Sequence, residues 1–189
     1  MRDDRTHWEK RHQDSSGDEP QPPSSFLVDN VALVNGRVLD VACGRGRNAL
    51  YLARRGNVVE GIDIALAGLR HARHTAAAEK LRLHLVQADL DDFPLPTGRY
   101  DAVINFRFLK REILPSLVRA LKPGGVLLFE TFLIDQLKIG HPKNPDFLLR
   151  HGELQQAFGS LERLQYKEGL FDAPDGKAFV ARLLARRPD

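Results

Sequence analysis

The sequence predicts an α/β fold with a seven-stranded, mostly parallel sheet that ends in an antiparallel hairpin. Two observations support this prediction. From Phe26 onwards, apolar runs of strand length alternate with segments in which apolar residues recur every three or four positions. This alternation is typical of strand–helix–strand crossovers on a parallel sheet. Near the C-terminus the alternation stops, and two strand-like runs follow one another with only a short turn between them.

Five apolar runs precede the hairpin. They are predicted strands at residues 37–42, 58–63, 81–87, 100–106 and 126–132, and the segments between them are predicted helices at residues 48–55, 65–80 and 112–121. The Lys-Pro-Gly-Gly segment at residues 122–125 is expected to end the third helix and turn the chain into the next strand, because proline and glycine both stop a helix.

The two strands of the hairpin are predicted at residues 161–170 and 177–187. Between them lies Pro174-Asp175-Gly176, a turn sequence in which proline presets φ and glycine accepts a positive φ. These strands are therefore expected to pair antiparallel and to close the sheet.

The first 25 residues differ in composition from the rest of the chain. The first 12 could form a helical stretch with Trp8 as its only large aromatic side chain, and residues 13–25 are rich in proline, serine and charge. Such a segment buries too little apolar surface to fold alone. We therefore expect an arm and a flexible linker at residues 1–25, which could act as a lid, and one domain at residues 26–189.

The amino-acid composition indicates the cellular compartment of the protein. Cys43 is the only cysteine among 189 residues, which excludes an intramolecular disulfide and favours a reducing environment. No apolar stretch approaches the ~20 residues that span a bilayer, and the charged start lacks the apolar segment of a signal peptide. These features predict a cytoplasmic protein without a membrane span.

The charge balance bears on the partner. A net charge of +3 and a pI near 9.2 leave a nucleic-acid partner open. The excess is small, however, and partly local to Arg182, Arg186 and Arg187, whereas a domain that neutralises several phosphates usually has a denser basic stripe. We therefore expect a small-molecule partner, with nucleic acid as the alternative; the oligomeric state is not predicted.

A glycine-containing loop follows the first strand. Asp40 lies near the end of the strand, and Gly44 and Gly46 follow before a predicted helix. Glycines there let the backbone adopt unusual angles and let a ligand approach closely. The second strand ends in Asp63, where a carboxylate can bind both hydroxyls of a ribose, and the third run ends near Asp89. Asp63 as a helix N-cap, and Asp89 as part of a solvated turn, are the alternatives.

The same loop also fits the dinucleotide pattern G-x-G-x-x-G/A. Asp40 argues against that interpretation, because a carboxylate so close to a pyrophosphate would repel it. It suits a ligand that carries an ammonium and a sulfonium. The terminal hairpin argues in the same direction, since a dinucleotide fold usually supplies a second mononucleotide-binding half.

These segments together resemble a known family. VLDVACGRGRNALYLARRG, VEGIDI, QADL and YDAVINF…ALKPGGVLLFETF are similar to the successive motifs of class I S-adenosylmethionine-dependent methyltransferases, and the GRGRNALYLARRG form resembles their small-molecule, tellurite-resistance-like branch. The resemblance covers about residues 37–132 and departs where the usual first glycine of the loop is Ala42. It implies a Rossmann-like methyltransferase sheet with S-adenosyl-L-methionine as cofactor.

The resemblance also implies roles for individual residues. Gly44 and Gly46 would pack against the cofactor, Asp63 would bind its ribose, Asp89 and Leu90 would flank its adenine, and Asn105 would lie near its methionine moiety. The full expected set of cofactor-binding residues is Asp40, Ala42, Cys43, Gly44, Gly46, Asn48, Asp63, Ile64, Asp89, Leu90 and Asn105.

Candidate acceptor residues lie on the same expected sheet edge. Arg107, Lys110 and Arg111 follow the fourth strand and could form an anion pocket, or be exposed charges at a helix start. The polar residues 134–150 could wall that pocket, or be a surface loop. Trp8 resembles the Trp of N-terminal segments that cover the cofactor in many small-molecule methyltransferases; a disordered tail is the alternative.

Two tempting sites are set aside. Cys43 has no histidine close in sequence, so we expect a small packing residue beside the cofactor rather than a nucleophile. His71 and His74 are one helical turn apart, but neighbouring arginines favour a solvated face, and we expect no metal site.

The sequence thus predicts methyl transfer to a small-molecule acceptor by positioning and desolvation, without a strong general base and with no assigned catalytic residue. Three alternatives remain: an RNA or protein methyltransferase, an NAD(P)-dependent oxidoreductase, and a non-catalytic cofactor-binding protein.

Overall fold

The computed structural model describes residues 2–14, 21–173 and 176–189, and its centre is one seven-stranded sheet. The strands are β1 (Arg37–Val41), β2 (Val58–Asp63), β3 (Leu83–Gln87), β4 (Tyr100–Phe106), β5 (Leu121–Phe132), β6 (Glu162–Ala173) and β7 (Gly176–Arg186). They lie in the order β3-β2-β1-β4-β5-β7-β6. The first five strands are parallel, and β7 runs antiparallel to both β5 and β6. The predicted fold class and hairpin are confirmed.

Helices cover both faces of this sheet. They are α1 (Arg2–Asp14), α2 (Ser25–Asp29), α3 (Arg47–Arg54), α4 (Leu66–Ala78), α5 (Leu114–Ala120) and α6 (Glu153–Ala157), with short 3-10 turns at Val31–Leu33, Arg111–Ile113, Ile134–Lys138 and Pro145–Phe147. Within the described ranges, none of these helices is long and apolar enough to cross a bilayer.

One predicted boundary is wrong. The Lys-Pro-Gly-Gly segment is not a separate turn before the fifth strand, because β5 already begins at Leu121. Leu121 takes an extended conformation and pairs with Tyr100, so α5 ends at Ala120 without help from the glycines. Gly124 and Gly125 exchange backbone hydrogen bonds with Arg187 at 2.9 and 2.8 Å, which adds the segment to the sheet.

The other predicted elements are close to those observed. The third strand starts at Leu83 rather than at residue 81, and a 3-10 turn replaces the first residues of the third predicted helix. The predicted N-terminal helix forms as α1. Residues 15–20 of the expected linker, and residues 174–175 of the expected hairpin turn, lie outside the described residues.

Successive side chains of each strand point into two different apolar cores, one on each face of the sheet. Along β5, Leu127 and Phe129 enter the core covered by α5 and α6, whereas Val126 and Leu128 enter the core covered by α2 and α3. We call these two sides of the sheet the α5 face and the α3 face. Each fully buried Leu or Phe contributes roughly 1.5–3 kcal/mol, so packing on both sides fixes the register of the central strands.

Candidate functional site

The carboxyl ends of β1, β2 and β4 bring three predicted site residues to one edge of the sheet. Asp40 pairs in register with Gly61 of β2 and Ile104 of β4, Asp63 is the last residue of β2, and Asn105 lies beside Val41. All three side chains are buried. The three polar side chains therefore lie at the edge of the sheet where open parallel sheets bind ligands.

The loop after β1 has an unusual backbone. Ala42, Gly44 and Gly46 have φ values of +53°, +53° and +79°, a region that favours glycine. A Cβ on Gly46 would also come within 2.8 Å of the Ala72 Cβ of α4. This geometry explains why glycine is usual at position 42 in the resembling family, and it identifies Ala42 as a strained position.

Asp63 organises this loop. One of its carboxylate oxygens accepts a hydrogen bond from the Gly44 amide at 2.7 Å, and the other accepts one from the Ala65 amide at 2.8 Å. The second bond closes a turn ahead of α4 and is not the N-cap interaction considered as the alternative, because the N-cap residue of α4 is Ala65 and the helix has no side-chain cap hydrogen bond. Because each carboxylate oxygen can accept a further hydrogen bond, these contacts are compatible with hydroxyl donors from a ligand.

Asp40 is a buried carboxyl group that lacks a full set of partners. The Ala49 amide, in the first turn of α3, hydrogen-bonds it, but its Oδ2 has no partner among the described residues. Burial raises the pKa of Asp40 to about 8; the charge of Asp63 acts in the same direction, and Arg47 opposes it. An oxygen so placed suits a cationic donor, because a positive partner would favour its charged form.

Asn105 presents a second incomplete group. Its Nδ2 donates to the Phe108 carbonyl at 2.8 Å, which leaves Oδ1 buried and without a partner among the described residues. Asp40 and Asn105 thus each offer a buried acceptor oxygen at this edge. The residues present therefore fit a ligand that brings N–H donors and positive charge, as the amino-acid end of S-adenosylmethionine does.

The remaining predicted cofactor residues surround this edge. Asp89 accepts from the Asp91 amide at 3.0 Å within a turn, and Leu90 packs against the core of the α5 face. The Ile64 carbonyl accepts from Gln87 at 3.2 Å, and the Asn48 Oδ1 accepts from the Ser24 amide at 3.0 Å. Asn48 therefore ties the segment before α2 to the start of α3.

Cys43 is buried, and His71 contacts a neighbouring arginine. Burial raises the pKa of the Cys43 thiol well above its usual range, which disfavours the nucleophilic thiolate. Its sulfur packs where a Cβ on Gly61 would lie 2.8 Å away. His71 contacts Arg45 at 2.9 Å, and no three metal-ligating side chains gather in the part of the chain that the structure describes.

Helix α1 lies against this same edge. The sequence predicted the helix but not its contacts with the site. Both Glu9 carboxylate oxygens accept from the Ala67 amide at 3.2 Å, at the start of α4. The His12 ring lies beside the glycine loop, because a Cβ on Gly44 would come within 3.2 Å of it. Trp8 packs against His12 with 6.2 Å between ring centroids.

The three basic residues after β4 do not converge on one pocket. Arg107 contacts Glu130 at 3.3 Å, Lys110 pairs with Asp91, and Arg111 donates to Glu153. Arg111 also donates to the backbone carbonyls of residues 146 and 148, at 2.8 and 2.9 Å. Arg111 therefore holds residues 134–150 against the domain, and Arg107 is the member of the trio that contacts the β5 edge.

Sequence reasoning missed Glu130 and Arg182. They are register partners on β5 and β7, with 2.7 Å between the Arg182 Nε and the Glu130 Oε2. A usable signal was present, because a charged residue inside the apolar run VLLFETF must be paired when it is buried.

Comparison with known proteins agrees with this geometry. Residues 38–125 match the model of a methyltransferase domain family. The malonyl-[acyl-carrier protein] O-methyltransferase of Enterobacter lignolyticus is 35% identical over 106 residues, which cover 53% of this chain and 41% of that protein. The 2-heptyl-1-hydroxyquinolin-4(1H)-one methyltransferase of Mycobacteroides abscessus is 33% identical over 123 residues, covering 59% and 54%. The chain thus spans about half the length of these relatives.

The fold has a counterpart among solved structures. The crystal structure of TehB from Haemophilus influenzae superposes with a TM-score of 0.76 at 23% identity, covering 97% of this chain and 66% of that one. By sequence, TehB of the same organism is 28% identical over 153 residues, covering 76% of this chain and 52% of that protein. Residues 38–125 therefore match a methyltransferase domain family, and the described chain shares the fold of TehB.

Proposed function

We propose that the protein transfers the methyl group of S-adenosylmethionine to a small-molecule acceptor. The observation that carries the proposal is the buried, incompletely partnered carboxyl group of Asp40 beside the glycine loop. A dinucleotide would bring a pyrophosphate to this loop, where the same carboxylate would repel it. An ammonium-bearing cofactor would supply the missing partner.

Each edge residue has a role in this proposal. Asp40 would accept from the ammonium of the cofactor, Asp63 would accept from its ribose hydroxyls, and the Gly44 loop would let the cofactor approach the backbone. Asn105, on the other face of the sheet, would lie near the methionine moiety. Asp89 and Leu90 lie beside the adenine. When bound, the cofactor would supply a methyl group on a sulfonium: the acceptor atom would form its bond to the methyl carbon as the carbon–sulfur bond breaks, and S-adenosylhomocysteine would be the leaving group. The protein positions the two reactants and excludes water, so the proposal needs no strong general base.

The small size of the acceptor is also part of the proposal. It is supported by a relative that is named for a hydroxyquinolone. Residues 134–150, held by Arg111, would form one wall of the acceptor site and Arg107 another. A reducing, cytoplasmic location is included, because the one cysteine is a buried free thiol.

We further propose that α1 is the lid of the cofactor site. Glu9 at the start of α4 and His12 beside Gly44 place the helix over the side of the site that carries Asp63. Burial lowers the pKa of His12; Arg11 and Arg45 lower it further, while Asp63 and Glu9 oppose this. Docking therefore favours neutral His12, and acidification below its ordinary pKa would weaken the closed state.

Trp8, the one tryptophan of the chain, gives a direct readout of the lid. We expect His12→Ala and Glu9→Gln to accelerate dissociation of S-adenosylhomocysteine, measured by stopped-flow fluorescence. Lys10→Gln is the matched control, since Lys10 is an exposed residue of the same helix. Equal dissociation rates in all four proteins would show that α1 is not a lid.

A thermal-shift panel tests the cofactor assignment. S-adenosylmethionine and S-adenosylhomocysteine should raise the melting temperature, whereas NAD and NADP should not. Asp63→Ala should abolish the rise, whereas Asp101→Ala should keep it, because Asp101 is a carboxylate of β4 at the opposite edge of the sheet. Stabilisation by NAD or NADP alone would favour the oxidoreductase alternative and overturn the proposal.

A further inference from the structure

A charged cluster lies on the α3 face of the sheet, beyond the cofactor edge. Glu130 is buried and divides its carboxylate between two guanidiniums, Arg107 at 3.3 Å and Arg182 at 2.7 Å. Arg182 also contacts the Ser25 hydroxyl at 3.3 Å. The Arg182 guanidinium carries about five N–H donors, and its hydrogen bonds to Glu130 and Ser25 among the described residues use two of them. Arg182 therefore retains donors for an additional anionic acceptor group.

Aromatic rings surround these charges. The Arg107 guanidinium lies over the Phe132 ring at 4.4 Å, and that of Arg182 lies 4.1 Å from the Phe171 ring and 5.5 Å from the Phe26 ring. Stacking fixes the planes of both guanidiniums and provides apolar walls beside them. A ligand suited to this cluster has an oxyanion and an apolar body.

The sheet register gives the distance between this cluster and the cofactor edge. Asp40 pairs with Ile104, and Ile104 pairs with Leu128, so Leu128 marks the level of Asp40 two strands away. Glu130 lies two residues further towards the carboxyl end and on the same face. Strand spacing and rise put the two carboxyl groups about 12 Å apart. The cluster thus neighbours the site without overlapping the groups that would hold the cofactor.

We propose that Arg182 and Arg107 bind the carboxylate of an acceptor that also has an apolar body, and that Glu130 holds the two guanidiniums in position. This inference rests on the proposed methyl-transfer function and specifies its substrate class. Arg182 is the residue that determines specificity, because it combines the shortest contact to Glu130 with two of the aromatic walls.

The test uses octanoate as the probe, with 1-octanol and octylammonium as matched neutral and cationic probes. Each is titrated calorimetrically into the full chain saturated with S-adenosylhomocysteine. Octanoate should bind, and the other two should bind at least about tenfold more weakly. Arg182→Met should weaken octanoate binding about tenfold or more, whereas Arg186→Met, which removes a charge further along β7 on the same face, should leave it within about twofold.

Arg182→Lys covers the case in which the Met variant does not fold. It keeps the charge but loses the planar fork, so octanoate should bind several-fold more weakly. Unchanged binding in a folded Arg182 variant, equal binding of 1-octanol, or an equal loss in Arg186→Met would each overturn the inference. Failure of S-adenosylhomocysteine itself to bind would instead count against the proposed function, so the two failures are distinguishable.

Discussion

Asp63 accepts a 2.7 Å hydrogen bond from the Gly44 amide and thereby joins the loop after β1 to the end of β2. Gly44 can present that amide because its φ is +53°. The same carboxylate accepts from Ala65 at 2.8 Å, ahead of α4. One acidic side chain therefore joins the glycine loop to the turn ahead of α4.

Replacing Asp63 should consequently affect stability as well as binding. Asp63→Ala removes two charge-assisted hydrogen bonds to backbone amides, and we expect a loss of about 1–3 kcal/mol in the free energy of unfolding. Chemical denaturation measures this loss. Asp92→Ala, which removes an exposed carboxylate, is the control, and an Asp63→Ala protein as stable as the wild type would contradict the organising role of Asp63.

Replacing Asp40 should raise stability, in contrast to replacing Asp63. Its folded-state pKa, about 8, lies above its ordinary value, so the folded chain retains a proton that the unfolded chain loses. The cost of ionising it is absent below pH 4 and grows until about pH 8. Asp40→Asn should therefore stabilise the protein at pH 8.5, by about 1–3 kcal/mol once the burial of the amide is allowed for.

Thermal denaturation at two pH values checks this prediction. For a chain of this size, the gain corresponds to a rise of roughly 2–4 °C in melting temperature per kcal/mol. The difference between variant and wild type should shrink at pH 5. A difference that is independent of pH would mean that Asp40 is not a buried group with a raised pKa.

Arg111 should control the mobility of residues 134–150. Arg111→Ala removes the donors to the carbonyls of residues 146 and 148, and it breaks the pair with Glu153. We expect faster hydrogen exchange in residues 144–149, at a stability cost near 1 kcal/mol because the pair is partly exposed. Cofactor affinity should not change. Unaltered exchange in that segment would show that other contacts hold it.

Phe129 is a test of the core on the α5 face. It is fully buried and packs against Phe158 with 5.5 Å between ring centroids. Phe129→Ala should cost about 3–5 kcal/mol. Phe147 is 44% exposed, so Phe147→Ala should change stability by no more than about 0.5 kcal/mol. Urea denaturation of both variants makes the comparison, and similar midpoints would contradict this packing.

Most of the sheet was predictable because the spacing of apolar residues shows which side chains are buried. In this chain, packing against the sheet determines which side chains those are. The loop was predictable because glycines after one strand, together with an acid at the end of the next, are typical of a ligand-binding sheet edge. The contacts of His12 and the pairing of Glu130 with Arg182 were not, since they join residues far apart in sequence and depend on three-dimensional packing. The basic trio after β4 illustrates the same limit: its members are close in sequence, but each contacts a different acid.

The central claim is that a cofactor bearing an ammonium binds at the buried Asp40, and the pH dependence of affinity tests it most directly. Calorimetry would measure the dissociation constant of S-adenosylhomocysteine from pH 6 to pH 9, for the wild type and for Asp40→Asn. In the wild type, binding must first remove the Asp40 proton, so affinity should rise towards tenfold per pH unit and level off near pH 8. Asp40→Asn should bind more weakly and without this slope. Absence of binding, or the same slope in both proteins, would contradict the account.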